Sequence, residues 1–260
     1  MRSKISIFLM VSLAVSLCAL TTLAQEKEQE GQLFLIAEVV VKPSMVSQYE
    51  AHAKEVLELA TKYNFPYPYN LFSTNDYYYY YAFPMKNFAD IDNLYKAFDE
   101  WFKKMGEKES QEMMKSALGT YAYESFFLHR YAPDLSYTPE KPRLKPEEEK
   151  FFYWGFCFIQ PGKEKEVAEN FKKFVSLYKG KGADMGWDTL IGDVGTKMPL
   201  FSYVMWGKDA ADFWSHSKEV EGIVGEEVGK IWEETLTYLR KFDIKMGMGR
   251  KELSYTPKKD

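Results

Sequence analysis

A chain of 260 residues with 38 acidic against 34 basic side chains carries a formal net charge of −4 at pH 7, and its basic residues form no stripe. That balance excludes a surface built to neutralise nucleic-acid phosphates, and equally a polybasic membrane-surface segment. With 2 cysteines and 17% aromatic residues, stability has to come from a packed core and not from disulfides.

The N-terminus begins Met1-Arg2-Ser3-Lys4, is apolar from Ile5 to Leu20, and reaches Thr22-Leu23-Ala24 before the polar run Gln25-Glu26-Lys27-Glu28. This order predicts a secretory signal over residues 1–24, cut near Ala24, and hence a periplasmic or secreted protein. The apolar run is short for a spanning helix and no later segment comes close, so no membrane span is expected. Cys18 invites a lipoprotein reading, but Leu17 stands where such signals want a small residue, which makes that reading the weaker one. Once the leader is gone Cys157 is the only cysteine. It lies in the apolar run Phe151 to Ile159, as a small core side chain would.

Residues 25–132 read as a first module. Leu33 to Val41 is β-rich, and after Pro43 the residues Tyr49, Ala53, Val56, Leu57 and Ala60 recur at helical spacing. Leu71 to Ser73 and Tyr77 to Phe83 flank the turn Thr74-Asn75-Asp76 as a hairpin. A long amphipathic helix follows from Phe88, interrupted at Gly106 and stopped at Gly119, and Phe126 to Tyr131 closes the module as a strand. Residues 133–149, with four prolines and many charges, read as a stiff, solvated linker.

Residues 150–260 repeat the order. Leu135-Ser136-Tyr137-Thr138-Pro139 returns 118 residues later as Leu253-Ser254-Tyr255-Thr256-Pro257, and the same offset carries Pro43 onto Pro161. Phe151 to Ile159 is the strand and Val167, Phe171, Phe174 and Tyr178 mark the helix. Thr189 to Asp193 and Leu200 to Trp206 form the hairpin, and the last strand falls near Phe242 to Met248. Each half is therefore β-α-β-β-α-β. The expected fold class is α+β: two tandem ferredoxin-like modules forming a pseudo-dimeric α+β barrel within one chain.

That arrangement resembles the dimeric α+β barrel superfamily, with its antibiotic-biosynthesis-type monooxygenases, haem-degrading enzymes and stress-responsive barrels. The segment Val204 to Trp214 is similar to the strand-to-helix junction of the monooxygenase-like members, and Phe83 to Asp90 holds the same place in the first half. The resemblance implies the fold more than any activity, because this fold hosts many chemistries. In haem-degrading members a histidine sits further along the second helix; here that position falls near Gly225, so haem ligation does not carry over.

Candidate chemistry is sparse. His52, His129 and His216 are isolated and lack ligand spacing, so neither a metal nor any other cofactor is expected. Glu38 interrupts the row Phe34, Ile36, Val40; a carboxylate facing an apolar cavity has a raised pKa and can move protons. Glu38 and His129 are the candidate catalytic groups. Tyr77 to Tyr81 alternate on a strand, placing Tyr79 and Tyr81 on one face as candidate ligand contacts, together with Trp154 and Trp206. Good strand propensity also explains such a run. The expected function is an exported barrel that binds a small apolar or aromatic ligand in an aromatic-lined cavity, with homo-oligomers possible. Its alternatives are a cofactor-independent monooxygenase or isomerase, and a structural, partner-binding protein.

Overall fold

The computed structural model describes residues 31–258, so the expected signal segment and Cys18 lie outside the described residues. Eight strands alternate with helices: β1 (Leu33–Val41), α1 (Val46–Lys62), β2 (Asn70–Thr74), β3 (Tyr78–Met85), α2 (Asp90–Ala117) and β4 (Tyr121–Tyr131) make the first half. The second half is β5 (Phe151–Ile159), α3 (Glu164–Lys181), β6 (Asp188–Gly192), β7 (Leu200–Gly207), α4 (Ala210–Val224), α5 (Glu227–Thr237) and β8 (Leu239–Gly249). The strands close into one barrel in the order β1-β3-β2-β8-β5-β7-β6-β4, every neighbouring pair antiparallel. This is the expected pseudo-dimeric α+β barrel. Among the described residues no helix is long and apolar enough to cross a membrane.

Strand alternation sorts the side chains into two shells. Leu33 and Leu35 point outward and pack under α1 and α2 with Leu59, Leu94 and Trp101. In the second half Cys157 and Ile159 pack outward against Val167 and Phe171 of α3, and burial pushes the Cys157 thiol up to about 12. The even-numbered positions turn inward, where Ile36, Tyr80, Phe152 and Trp154 meet in a cluster built from strands alone.

The duplication extends to local devices. Both long helical stretches break at a glycine with positive φ, Gly106 (φ 77) and Gly225 (φ 78), a conformation other residues resist. The two strand-to-helix junctions also share a mechanism: the Asp90 carboxylate accepts the backbone N–H of Lys86 at 3.1 Å, and Asp212 accepts that of Lys208 at 2.9 Å. A carboxylate there satisfies a free donor beside the positive end of the helix dipole.

The segment expected to be a solvated linker is, in its first part, a buried strap. Leu135, Ser136 and Tyr137 are buried against the second half. Tyr137 bridges Trp187 in antiparallel fashion, and its hydroxyl donates to the Ala183 carbonyl at 2.7 Å. The C-terminal copy does the reciprocal thing: Tyr255 bridges Tyr69 and its hydroxyl donates to the Phe65 carbonyl at 2.9 Å. Ser136 and Ser254 accept the backbone N–H groups of Thr189 and Leu71. The repeated Leu-Ser-Tyr-Thr-Pro motif is thus a latch by which each half grips the other. The composition rule failed here because prolines and charges describe the second part of the segment, while one leucine and one tyrosine set the fate of the first.

If the latches hold the barrel closed, Tyr137→Ala and Tyr255→Ala will each destabilise by about 3–5 kcal/mol, the usual cost of deleting a buried aromatic side chain. Urea unfolding checks this, and a cost under about 1 kcal/mol for both would reduce the latches to decoration.

Candidate functional site

Inside the barrel, at the end where β1 and β5 begin, lies a cavity of about 410 Å³. Its walls are paired by the duplication. Phe34 and Phe152, Ile36 and Trp154, and Phe72 and Leu190 all line the cavity, each pair 118 residues apart. Because equivalent residues line one common space, the cavity sits on the pseudo-two-fold axis. The Trp206 ring lies tilted 6.0 Å from that of Phe72, and Tyr80 meets Trp154 edge-on at 5.2 Å.

The polar groups break the symmetry. Asn70 lies on the first half's side of the cavity, and its counterpart on the second half is Asp188. Burial pushes the Asp188 carboxyl above the usual carboxylate range, while the Trp206 indole, donating toward it, opposes that shift. Asp188 and Trp206 also border a second, more polar space of about 210 Å³ beneath the segment Pro139–Glu149. There Glu149, likewise half-buried, has its carboxyl raised by burial and by the charge of Asp188. The arrangement is an aromatic chamber with one carboxylate at its polar wall and a charged vestibule behind it.

Trp154 and Trp206 line the chamber as expected, but Tyr79 and Tyr81 do not. Both point outward: Tyr79 donates to Glu50 at 2.7 Å and packs edge-on to Tyr49, and the Tyr81 hydroxyl lies 3.1 Å from that of Tyr49. The inward faces of the tyrosine run are Tyr78 and Tyr80. Glu38 does face the barrel interior, though beyond Tyr80 and outside the chamber, where Ser125 donates to it at 3.3 Å. Asp188 stands one residue before the strand expected from the sequence, where nothing in its own neighbourhood marks it. The signal that finds it is its place 118 residues after Asn70.

His129 is fully buried inside the barrel, 5.9 Å from the Trp154 ring, and neither ring nitrogen has a hydrogen-bond partner. Burial lowers its pKa to about 3, so it is held neutral. It is not among the residues lining the chamber. Among the described residues no group of three or more His, Cys, Asp or Glu side chains is placed to hold a metal ion. The haem-degrading likeness fares no better. The apolar space of about 260 Å³ between α3, α5 and the outer sheet face is walled by Phe171, Tyr203, Trp232 and similar residues with no imidazole, and Gly225 stands at the helix break. His52 contacts Ser116, and His216 is engaged by Asp184 at 2.8 Å and Glu219 at 3.2 Å. These residues do not fit a haem iron.

The buried imidazole has a pH signature. Above an unfolded-state pKa near 6.5 both states are neutral and nothing is lost. As pH falls from there toward about 3, the unfolded chain takes up a proton that the folded chain refuses, so stability drops by about 1.4 kcal/mol per pH unit. His129→Phe should therefore lose less stability than the parent between pH 6.5 and 4, as read by urea unfolding. Parallel pH slopes would mean that the imidazole titrates freely.

No family model matches the chain, and a search of curated proteins finds no match. Among solved structures it is similar to an anthrone oxidase-like protein, at a TM-score of 0.58 and 8% identity over 85% of this chain and 92% of that one. It is also similar to a monooxygenase-like protein from Lactobacillus acidophilus NCFM (TM-score 0.51, 10% identity, covering 85% and 94%). A chlorite dismutase from Candidatus Nitrospira defluvii, in complex with imidazole, aligns at a TM-score of 0.50 and 10% identity, covering 86% and 94%. At such identities the likeness is one of architecture: the chain has the dimeric α+β barrel fold, with both halves supplied by a single polypeptide.

Proposed function

We propose that this protein binds a compact aromatic molecule inside the barrel, with the ligand's ring between the Phe72, Phe152, Trp154 and Trp206 side chains and its polar end at Asp188. The observation that carries the reading is the pairing of an aromatic-walled space of about 410 Å³ with a single desolvated carboxylate. Apolar walls supply binding energy and the one polar group sets orientation, the usual division of labour in a small-molecule site. The signal segment expected over residues 1–24 supports export, and with it a ligand met outside the cytoplasm; cell fractionation tests that part.

A second reading is an enzyme of the oxidase or monooxygenase type, one of the similar structures being named an anthrone oxidase-like protein and another a monooxygenase. Asp188 favours it: a carboxyl raised by burial is poised to accept a proton from an acidic O–H or C–H of a bound ring system. The anion so formed would share its charge with the aromatic body while Asp188 keeps the proton. Glu38 and His129, the catalytic candidates of the sequence, lie away from the chamber and are replaced in this role by Asp188.

Calorimetric titration of a panel of bicyclic aromatic compounds tests the proposal. Trp206→Ala should weaken binding at least tenfold through the lost ring contact, with melting temperature little changed because Trp206 is only half-buried. Asp188→Asn should abolish any turnover under the enzyme reading and merely alter affinity under the binding reading. An absence of binding across the panel would overturn the site.

A further inference from the structure

We propose that the ligand's polar end is a cation: a primary ammonium or similar nitrogen cation carried on a compact aromatic body. The proposal deepens the binding reading above and rests on it.

Asp188 borders both the aromatic space and the vestibule, and among the described residues no lysine or arginine acts on it; its only stabilising partner is the Trp206 indole. Arg143 and Lys245, the basic groups of the vestibule wall and the barrel interior, are committed to other carboxylates. Arg143, in the vestibule wall, is held in a two-pronged pair with Asp212 at 2.7 and 2.8 Å. Lys245, at the opposite end of the barrel, pairs with Asp76 and lies 3.4 Å over the Tyr78 ring. His216 is taken by Asp184 and Glu219. A second carboxylate, Glu149, adds to the negative field at Asp188 and is offset only by Lys251.

A half-buried carboxylate without a cation is costly, and a ligand can supply what the protein withholds. A neutral hydroxyl would satisfy one lone pair and leave the charge. An ammonium would neutralise it, and the chamber offers the second half of a cation site as well. Trp206, Phe72 and Tyr80 stand around the same space, and aromatic rings attract cations most strongly where water is excluded. The duplication sets the direction. Asn70 occupies the position equivalent to Asp188, so the two walls differ in charge there, and a cationic head is drawn to one of them.

The test uses the full-length chain and three isosteric probes in calorimetric titration: 1-naphthylmethylammonium, 1-naphthalenemethanol and 1-naphthoate. The expected result is that the ammonium binds at least tenfold more tightly than the alcohol and that the carboxylate binds weakest. Asp188→Asn, which keeps an acceptor for the Trp206 indole, should reduce the ammonium's advantage over the alcohol to less than threefold. Glu149→Gln should lower it by a smaller factor. Melting curves of both variants confirm that they fold; should Asp188→Asn fail to, Glu149→Gln alone must still lower the ratio. If the alcohol binds as tightly as the ammonium, the cation assignment is wrong while the binding site survives. An ammonium preference untouched by either substitution also overturns the assignment to this wall. If none of the three binds, the binding reading fails with it.

Discussion

The structure depends on an exchange of strand edges. Each half on its own is a four-stranded sheet with two exposed edges, a row of unpaired N–H and C=O groups that must find partners. Here β4, paired to β1 along one edge, pairs by its other edge with β6, and β8, paired to β5, pairs likewise with β2, so that the eight strands close with no edge left over. Closure makes the interior, and the interior makes the chamber. It also explains the latches: the chain beyond β4 and beyond β8 has already crossed to the other half, so Tyr137 and Tyr255 meet Trp187 and Tyr69 without a long excursion. Gly186 permits that approach, since a Cβ there would lie 2.4 Å from the Tyr137 carbonyl oxygen.

A closed barrel filled largely with rings is a poor solvent, and the ionisable groups inside it register that fact differently. His129, fully buried and without a partner, is driven to its neutral form. Asp188, near the mouth and donated to by one indole, has a raised pKa yet stays within reach of the vestibule. Glu38 has Ser125 and Tyr80 as neighbours at the opposite end. The first two are titratable groups in one apolar enclosure, and only Asp188 borders a space large enough for a ligand. Position, more than residue type, selects it.

The element order and the duplication were legible because they rest on periodicity and on exact recurrence, and both halves keep the same alternation and the same glycine break. The inward face of β3 was not. Alternation along Tyr77 to Tyr81 yields two faces without saying which is inside; that is decided by pairing, which sets Tyr80 opposite Glu38 and Tyr79 opposite Val39. Since Val39 is an outward residue buried with Tyr49 and Leu71, Tyr79 must be outward too. Glu38 was found by its oddity in an apolar row, and that oddity proved to mark the barrel interior without marking the chamber. Asp188 offered no oddity in its own neighbourhood. It becomes conspicuous only beside Asn70, where a carboxylate replaces an amide at otherwise equivalent positions.

That replacement bears on why one chain carries both halves. In a barrel built from two identical chains, whatever residue stands at this position appears twice across the axis: two carboxylates would repel in an apolar space, and two amides would leave it uncharged. Fusion frees the halves to differ. Asn70 opposes Asp188, Tyr131 corresponds to Gly249, and Pro84 corresponds to Trp206, so bulk and charge are both shifted to chosen sides of the cavity. A symmetric chamber presents a ligand with two equivalent orientations, whereas this one distinguishes them. The latches, the shared strands and the closed edge keep the two-fold architecture rigid, and the departures from symmetry are what give its centre a direction.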